Sequence, residues 1–302
     1  MKIIDKNRIK KLFGVHPAEQ FCVQEVKKSL KLKYGPYIYK EKYNSSDLIR
    51  SLEKCGVKKG DTILIQSSWA EFYNCTETHK EIIDAIIEYL GNEGTLCMAC
   101  MPLVLPNRVF NVKKSPSKAG LLSDMFRRYP DVIRSRSVQH SVCGVGPNAN
   151  YLLNEHHLGN NPWDEYSPYY RLSQVNGKIV TLGLDKYWVG TIIHCVEGLL
   201  YGKVKYYTDF FSTEKKEFQY IDYDGIQKSY YNYEVCKKRI QNYIKSQIIF
   251  RKYLTPLYCK LSNLEITVYD ADQVITKLTQ LATKGKDVYE SPSKKGYKFN
   301  NY

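Results

Sequence analysis

Stretches typical of buried β-strands alternate with amphipathic helical segments between residues 61 and 200, and this alternation constrains the fold more than any other feature. The runs at 61–68, 94–101 and 177–184 are short and apolar, as buried strands are. The segment at 78–91 has apolar residues at helical spacing and ends at a glycine. Because helices that connect such strands cover a sheet, the sequence predicts an α/β fold, a single-domain α/β/α sandwich with a central mixed sheet.

Further elements are predicted on either side of these runs. A helix is expected over 115–130, with Ser115 as its N-cap and Pro116 at its first position. A long strand is expected over 132–146, and Gly35-Pro36 is expected to break an early helix. Past residue 203 the sequence predicts a hairpin formed by 204–211 and 216–225 with Asp224-Gly225 at its end, a helix over 233–248, and a strand followed by a helix over 264–285.

Charge divides the chain into three parts. The 302 residues carry a net charge of +14, of which residues 1–44 supply +7 from 11 Lys/Arg and 4 acids. Residues 1–44 are therefore interpreted as a basic N-terminal extension, and residues 284–302 as a basic flexible tail. No nucleic-acid-binding module is visible, so no nucleic-acid partner is predicted. Basic ends suit an anionic ligand or partner, although a generally lysine-rich composition explains them equally well.

No segment of the sequence is predicted to enter or cross a membrane. The basic N-terminus lacks the apolar stretch of a secretory signal, and the run at 95–106 is shorter than the roughly 18 residues that a span requires. Nine cysteines form no disulfide framework. A reduced, cytoplasmic location is therefore predicted.

Two histidines are candidates for chemistry. His194 and Glu197 have an H-x-x-E spacing, which places both on one face of a helix, so the carboxylate can orient the imidazole and stabilise its protonated form. The same spacing also occurs in ordinary helix-surface pairs. His140 lies in a small, apolar run and is either a core histidine or a group that projects into a cleft. His156 and His157 are expected to face solvent or to cap a helix.

Other possible sites are less distinctive. The three residues His194, Glu197 and His140 could be argued into a zinc site, but their spacing does not demand one, and no metal is predicted. Cys97 and Cys100 lie in a predicted strand, where residues three apart point to opposite faces. Two features could hold a ligand: the serine pair that closes the first strand, and a helix start near Ser115, whose NH groups could bind an anion unless Ser115 is only an N-cap.

Taken in order, these segments resemble the aminoglycoside 3-N-acetyltransferase family, an acetyl-CoA-dependent group. The resemblance covers residues 45–200 closely and 201–283 more loosely, and it does not explain residues 1–44. The chain from 45 to 283 is accordingly interpreted as an acetyltransferase domain. The matching blocks lie at 60–68, 94–96, 115–135, 139–147, 167–172, 177–184 and 194–198.

The resemblance implies both an activity and a set of site residues. It implies an α/β/α sandwich that transfers an acetyl group from acetyl-CoA to an amine. The family's H-x-x-E corresponds to His194 and Glu197, and its His-Ser-Val begins at His140, so these three are the expected catalytic residues. The expected cofactor-binding residues are Ser67 and Ser68 after the first strand, Ser141 and Val142 after His140, and Ser117 at the predicted helix start.

The sequence departs from the family pattern at several positions near the expected acceptor pocket. Gln66 replaces a histidine before the serine pair, and Trp69 replaces a leucine after it. Met98-Ala99-Cys100 replaces Met-Pro-Thr, and Trp163-Asp164 replaces Phe-Gly. These differences bear on the acceptor more than on the chemistry.

The resemblance implies direct transfer, in which His194 removes a proton from the attacking amine and Glu197 orients His194. Because a net charge of +14 disfavours the attraction of a polycation, the expected acceptor is an amino sugar, nucleotide-linked or part of a surface polysaccharide. The alternatives are an aminoglycoside acceptor, which would confer antibiotic resistance, a non-catalytic relative that binds CoA or a sugar, and a metal-dependent hydrolase. A homodimer is a further possibility.

Overall fold

The computed structural model describes residue 10 and residues 23–104, 108–236 and 241–290. Its strands are β1 (Thr62–Ser67), β2 (Thr95–Ala99), β3 (Phe110–Asn111), β4 (Ile133–Arg134), β5 (Val142–Val145), β6 (Lys178–Leu182), β7 (Phe211–Ile221), β8 (Gln227–Val235), β9 (Leu257–Leu261) and β10 (Leu264–Asp270). Its α-helices are α1 (Val23–Ile38), α2 (Ser45–Lys54), α3 (His79–Leu90), α4 (Leu121–Phe126), α5 (Ala149–Leu153), α6 (Pro168–Gln174), α7 (Cys195–Leu200), α8 (Lys205–Thr208), α9 (Tyr243–Tyr253) and α10 (Ala271–Ala282).

The central sheet has seven strands in the order β4-β5-β2-β1-β6-β10-β9. Strand β1 runs parallel to β2 and β6, whereas β5, β4, β10 and β9 pair antiparallel with their neighbours. The sheet is therefore mixed, as predicted. Because the three parallel strands end at the same edge, the residues that follow β1, β2 and β6 are brought together there.

Helices cover both faces of this sheet. Ile63 and Ile65 of β1 belong to a core that includes Leu52 of α2 and Ile86 of α3. Leu64, which points the opposite way, belongs to a second core shared with α6, α7 and α10. The predicted α/β/α sandwich is thus confirmed, and a three-stranded sheet of β3, β7 and β8 is added to it.

Both ends of helix α3 are set by residues that can be recognised in the sequence. It begins after Thr78, whose hydroxyl accepts a hydrogen bond from the backbone NH of Glu81, while the Glu81 carboxylate accepts one from the NH of Thr78. It ends before Gly91, whose φ of 69° favours glycine. Both ends are set by local side chains, so the sequence alone carries the information.

The helix expected over 115–130 is much shorter than predicted. Only Leu121–Phe126 is helical, and Ser115 accepts a hydrogen bond from the Asn111 NH instead of capping a helix. The backbone NH of Lys118 donates to the carbonyl of Met101, so residues before the helix pack against the chain that follows β2. Gly120, with φ of 117°, then turns the chain into α4.

The long strand expected over 132–146 is a hairpin. Strands β4 and β5 pair antiparallel, and the turn between them carries His140. Ser135 closes the hairpin, because its NH donates to the Val142 carbonyl at 2.8 Å and its hydroxyl accepts from the Val142 NH at 3.0 Å. His156 also differs from expectation: it is fully buried, between the Ser135 hydroxyl at 2.9 Å and the Pro162 carbonyl at 3.0 Å.

The second half of the chain folds differently from the sequence expectation. Asp224-Gly225 does form a turn, but it joins β7 and β8 on its two sides, and residues 205–208 of the predicted first strand form α8. The helix expected over 233–248 begins only at Tyr243, since β8 continues to Val235. The strand and helix expected over 264–285 are confirmed as β10 and α10, with Asp270 as the helix cap.

The structure also describes parts of the two basic ends. Helix α1 continues through Gly35-Pro36 to Ile38, contrary to prediction, and the Tyr39 NH donates to the Gly35 carbonyl at 2.8 Å, so the helical hydrogen bonding resumes past the proline. Lys27 and Lys31 join α1 to the body through Asp185 and Glu71, at 2.8 and 3.1 Å.

In the predicted tail, Val288 and Tyr289 are buried in the core, at 6% and 3% exposure. The first described residues of this segment therefore belong to the folded body. Residues 1–9, 11–22 and 291–302, which include most of the predicted extension and tail, lie outside the described residues. Within the described ranges, no helix has the length and apolar character needed to cross a membrane.

Candidate active site

His194 and Glu197 form the centre of the candidate site. The loop after β6 leads into a single turn of 3-10 helix, Thr191–His194, which continues as α7. The His194 Nδ1 atom lies 2.7 Å from Oε1 of Glu197, as the H-x-x-E spacing predicted. The imidazole keeps 18% of its surface exposed, whereas the glutamate side chain is fully buried. Burial, together with the negative charge of Asp287, raises the pKa of Glu197 well above its usual value.

A tyrosine from a distant part of the chain contacts the same imidazole nitrogen. The Tyr289 hydroxyl lies 3.1 Å from His194 Nδ1, although the two residues are 95 positions apart. Lys245 of α9 holds this tyrosine in place by donating to its carbonyl oxygen at 2.8 Å and to the carboxylate of Asp287 at 2.8 Å. Sequence reasoning placed Tyr289 in a flexible tail and missed it.

Gln66 fixes the start of the turn that carries His194. Its Oε1 accepts hydrogen bonds from the backbone NH of Thr191 at 2.9 Å and from the Thr191 hydroxyl at 3.2 Å. Its amide nitrogen donates to the Val189 carbonyl at 3.4 Å. Gly190, with φ of 83°, lies so close to this amide that a Cβ would overlap it. Gln66, noted in the sequence only as a departure, thus links the end of β1 to the candidate base.

His140 approaches the same region from the β4–β5 turn. Its ring centroid lies 4.6 Å from that of Trp163, and the His194 ring lies 4.8 Å from the same indole. Trp163 is fully buried. The two expected catalytic histidines, 54 residues apart in the chain, therefore share one aromatic neighbour.

Ser141 and Val142 support the hairpin and do not line a cleft. Both are fully buried. The Ser141 hydroxyl donates to the Cys100 carbonyl at 2.5 Å and accepts from Arg134 Nε at 3.0 Å, and the Val142 NH is bound to the Ser135 hydroxyl. The geometry therefore does not support the cofactor contact expected for these side chains, and it gives them the role of holding the turn that carries His140.

Ser67 and Ser68 lie at the carboxyl edge of the parallel strands, as expected. Both are half-buried: Ser67 ends β1, and Ser68 precedes a 3-10 turn, Trp69–Phe72. The Ser68 NH donates to the Leu182 carbonyl at 3.0 Å, so this NH is not available to a ligand. A hydrogen bond that Ser68 donates to a cofactor would therefore come from its hydroxyl group.

Ser117 is not at a helix start, contrary to prediction. Its backbone NH donates to the Asp124 carboxylate at 2.7 Å, and its hydroxyl accepts from the Ala119 NH at 3.1 Å. The anion bound at this NH is thus the protein's own aspartate. Among the residues that the structure describes, no cluster of three or more His, Cys, Asp or Glu side chains could hold a metal ion.

The fold and the histidine–carboxylate pair define a recognisable class, an α/β/α protein with a buried glutamate behind a partly exposed imidazole. The sequence matches the family described as aminoglycoside 3-N-acetyltransferase over residues 64–252. The chain belongs to this family.

Individual relatives agree with this assignment. Aminoglycoside N(3)-acetyltransferase VIII of Streptomyces fradiae is 29% identical over 160 residues, which cover 45% of this chain and 54% of the relative. Aminoglycoside N(3)-acetyltransferase IV of Salmonella sp is 29% identical over 166 residues, which cover 54% of this chain and 61% of the relative. The chain thus spans little more than half the length of these curated relatives.

Solved structures agree in fold. The structure described as AAC-VIa bound to sisomicin has a TM-score of 0.67 at 17% identity, covering 81% of this chain and 99% of that one. AAC-IIIb in a binary complex with CoASH has a TM-score of 0.67 at 17% identity, covering 83% of this chain and 99% of that one. At such low identity these similarities establish the fold alone.

Proposed function

We propose that this protein transfers an acetyl group from acetyl-CoA to an amine, with His194 as the general base. The observation that carries this proposal is the 2.7 Å contact between His194 Nδ1 and the buried Glu197 carboxylate. A neutral imidazole that donates from Nδ1 has its lone pair on Nε2, so Nε2 is the atom that would accept a proton. Family membership supports the same assignment.

The proposed mechanism needs a base because an ammonium group has no lone pair to attack a thioester. Nε2 of His194 removes a proton from the attacking amine as the new C–N bond forms. The C–S bond of the tetrahedral intermediate then breaks, and the proton passes from the imidazolium to the departing thiolate, which leaves as CoA. Glu197 offsets the positive charge that the imidazole acquires. A well-placed base of this kind contributes about 10²–10⁴-fold to the rate.

Acetyl-CoA is the proposed acyl donor, and the residues near Ser67 and Ser68 are its proposed contacts. Ser67 ends the parallel strand β1 and Ser68 follows it, at the sheet edge where α/β proteins commonly bind ligands. Their hydroxyls are suitable donors for the negative charge that develops on the thioester oxygen, a contribution of about 3 kcal/mol per donor where geometry is good. The structure of AAC-IIIb in a binary complex with CoASH, which has a similar fold, supports this choice of donor.

The acceptor is proposed to be an aminoglycoside. The curated relatives are named as aminoglycoside N(3)-acetyltransferases, which favours this acceptor over the amino sugar expected from charge. The amino sugar remains the second candidate, because a net charge of +14 would repel an approaching polycation and would attract the phosphates of a nucleotide-linked sugar.

The test is thiol release from acetyl-CoA with a panel of aminoglycosides, free amino sugars and nucleotide-linked amino sugars. The full chain is compared with His194→Ala. We expect turnover with an aminoglycoside and a fall of about 10²–10⁴-fold in kcat in the variant, provided that its urea midpoint matches wild type. Faster turnover of nucleotide-linked sugars would reverse the order of acceptors. Turnover that survives His194→Ala would remove His194 from its assigned role.

A further inference from the structure

The imidazole of His194 is held at one nitrogen by two different parts of the chain. Glu197, three residues away on α7, contacts Nδ1 at 2.7 Å, and Tyr289, 95 residues away, contacts it at 3.1 Å. A single hydrogen bond allows the ring to swing about the shared atom. A second contact, from an element that does not move with α7, restricts that rotation.

The segment that carries Tyr289 is itself tightly fixed against α9. The Asn242 NH donates to the Val288 carbonyl at 2.9 Å, and Lys245 Nζ donates to both Asp287 and the Tyr289 carbonyl. The Tyr289 NH in turn donates to the Asp287 carboxylate at 2.9 Å. Four hydrogen bonds therefore define the backbone position of this one residue and its two predecessors.

The Tyr289 ring is packed as firmly as its backbone. It is 3% exposed and makes an edge-to-face contact with Phe210 at 5.1 Å between ring centroids. The cavity beside it, lined in part by Ile193 and Val196, measures about 20 Å³. That is little more than the space of one water molecule, so the ring is closely surrounded on this side.

We propose that Tyr289 is a positioning residue for His194: its hydroxyl oxygen shares the Nδ1 proton with Glu197 and holds Nε2 toward the acceptor amine. This inference rests on the proposed acetyltransfer. Tyr289 lies outside residues 64–252, the part that matches the family, so the role is read from this chain's own geometry.

The groups around His194 determine whether removal of the Tyr289 hydroxyl raises or lowers the pKa of His194. Glu197 on α7 and Asp287 beside Tyr289 are acidic, Lys245 on α9 is basic and bound to Asp287, and Tyr206 on α8 also interacts with Asp287. The Tyr289 hydroxyl adds a neutral acceptor to this set. Because an acceptor at Nδ1 stabilises the imidazolium, removing it should lower the pKa of His194.

The experiment compares wild type with Tyr289→Phe, which removes the hydroxyl and keeps the ring, and with Tyr289→Leu, which removes both. Tyr269→Phe is the matched control, since Tyr269 is a buried tyrosine of β10. The pKa of His194 is followed by imidazole NMR, with its signals assigned from the spectrum of His194→Gln. The pH profile of kcat and the KM for acetyl-CoA are measured alongside.

We expect Tyr289→Phe to lower the pKa of His194, to move the acidic limb of the kcat profile to lower pH, and to reduce kcat about three- to tenfold at neutral pH, with KM for acetyl-CoA nearly unchanged. Tyr289→Leu should lower the His194 pKa and kcat at least as much as Tyr289→Phe does. In Tyr269→Phe both quantities should equal those of wild type.

An unchanged or raised His194 pKa in Tyr289→Phe would overturn the proposal, because the hydroxyl would then be idle or would donate to Nδ1. The NMR titration needs no acceptor, so it separates the two proposals. A lowered pKa without turnover on any acceptor would support the role of Tyr289 in orienting His194 and would count against the proposed acetyltransfer.

Discussion

At the scale of single residues, the site depends on which of the two imidazole nitrogens of His194 carries the proton. Glu197 is fully buried and its carboxylate reaches only one side of the imidazole, at Nδ1. Burial makes the charged carboxylate costly unless it is bonded, so the glutamate and the histidine stabilise each other's ionised forms. The glutamate therefore sets the tautomer of His194 as well as its orientation.

This tautomer can be tested by Glu197→Gln. The side-chain amide has nearly the same shape, but its NH₂ group can donate to Nδ1, which would place the imidazole proton on Nε2 and leave no base. We expect kcat to fall by about 10²–10⁴-fold, as when a triad carboxylate is replaced by an amide, with little change in KM. Glu165→Gln, at an exposed position, is the control. Equal kcat in Glu197→Gln and wild type would contradict the assignment.

The His194–Glu197 contact was predictable from the sequence, whereas the rest of the site was not. Residues three apart on a helical turn must meet, so their spacing fixes their distance. Tyr289 and Trp163 reach His194 only through the tertiary fold, and no local pattern predicts either contact, although Trp163 was visible as a departure from the family. Gln66 was visible as a departure from the family, but its bond to Thr191 depends on where the loop after β6 lies.

At the scale of elements, the turn Thr191–His194 determines where the His194 imidazole is placed. It is too short to be stable alone and depends on Gln66 at its start and on α7 at its end. Gly190 allows Gln66 to bind the start of the turn, because it combines a φ of 83° with direct contact between its backbone and the Gln66 amide.

Gly190→Ala tests this dependence. The new methyl would overlap the Gln66 amide and would also adopt a strained φ, so the turn should shift. We expect kcat to fall at least about tenfold and the free energy of unfolding to fall by about 2–4 kcal/mol. Gly202→Ala is the matched control, because Gly202 has a similar φ of 73° and open space around it. If both variants lose the same stability and activity, the contact with Gln66 has no special role.

Elements were predictable where their ends are set locally and were missed where distant contacts intervene. Helix α3 has a capping box and a terminal glycine, both present in the sequence. Residues 115–120 also contain a plausible cap, yet they pair with the chain after β2 and do not become helical. Likewise, the run at 132–146 is apolar enough for one strand, but the Ser135 bonds to Val142 fold it into a hairpin.

At the scale of the whole molecule, one buried histidine links stability to pH. His156 is fully buried, and burial lowers its pKa to about 4, although its bond to the Pro162 carbonyl opposes this. An unfolded chain binds a proton at this histidine near pH 6.5 and the folded chain does not. Between these values the unfolded state holds more protons, so stability must fall as the pH falls.

We expect the free energy of unfolding to decrease by about 3 kcal/mol between pH 7 and pH 4 through His156 alone. Urea unfolding at several pH values would measure this decrease. His156→Gln should be less stable at pH 7, because it disturbs the bonds to Ser135 and Pro162, and its stability should depend less on pH. An equally steep pH dependence in the variant would mean that other groups account for it.

The overall architecture was predictable because its pattern is repeated along the chain. Each buried strand supplies side chains to two cores, and each helix from α2 to α10 covers one of them. The additional sheet of β3, β7 and β8 was only partly foreseen, since β3 is two residues long and pairs with a strand about a hundred residues later.

The position of Tyr289 along the chain also determines when its contact with His194 can form. During synthesis, Gln66, His140, His194 and Glu197 all leave the ribosome before Tyr289 does. A nascent chain that has emerged only as far as residue 252 contains His194 and Glu197 but lacks β9, β10 and Tyr289, whose hydroxyl contacts the imidazole. The contact between Tyr289 and His194 can therefore form only after residues 64–252, the part that matches the family, have been synthesised.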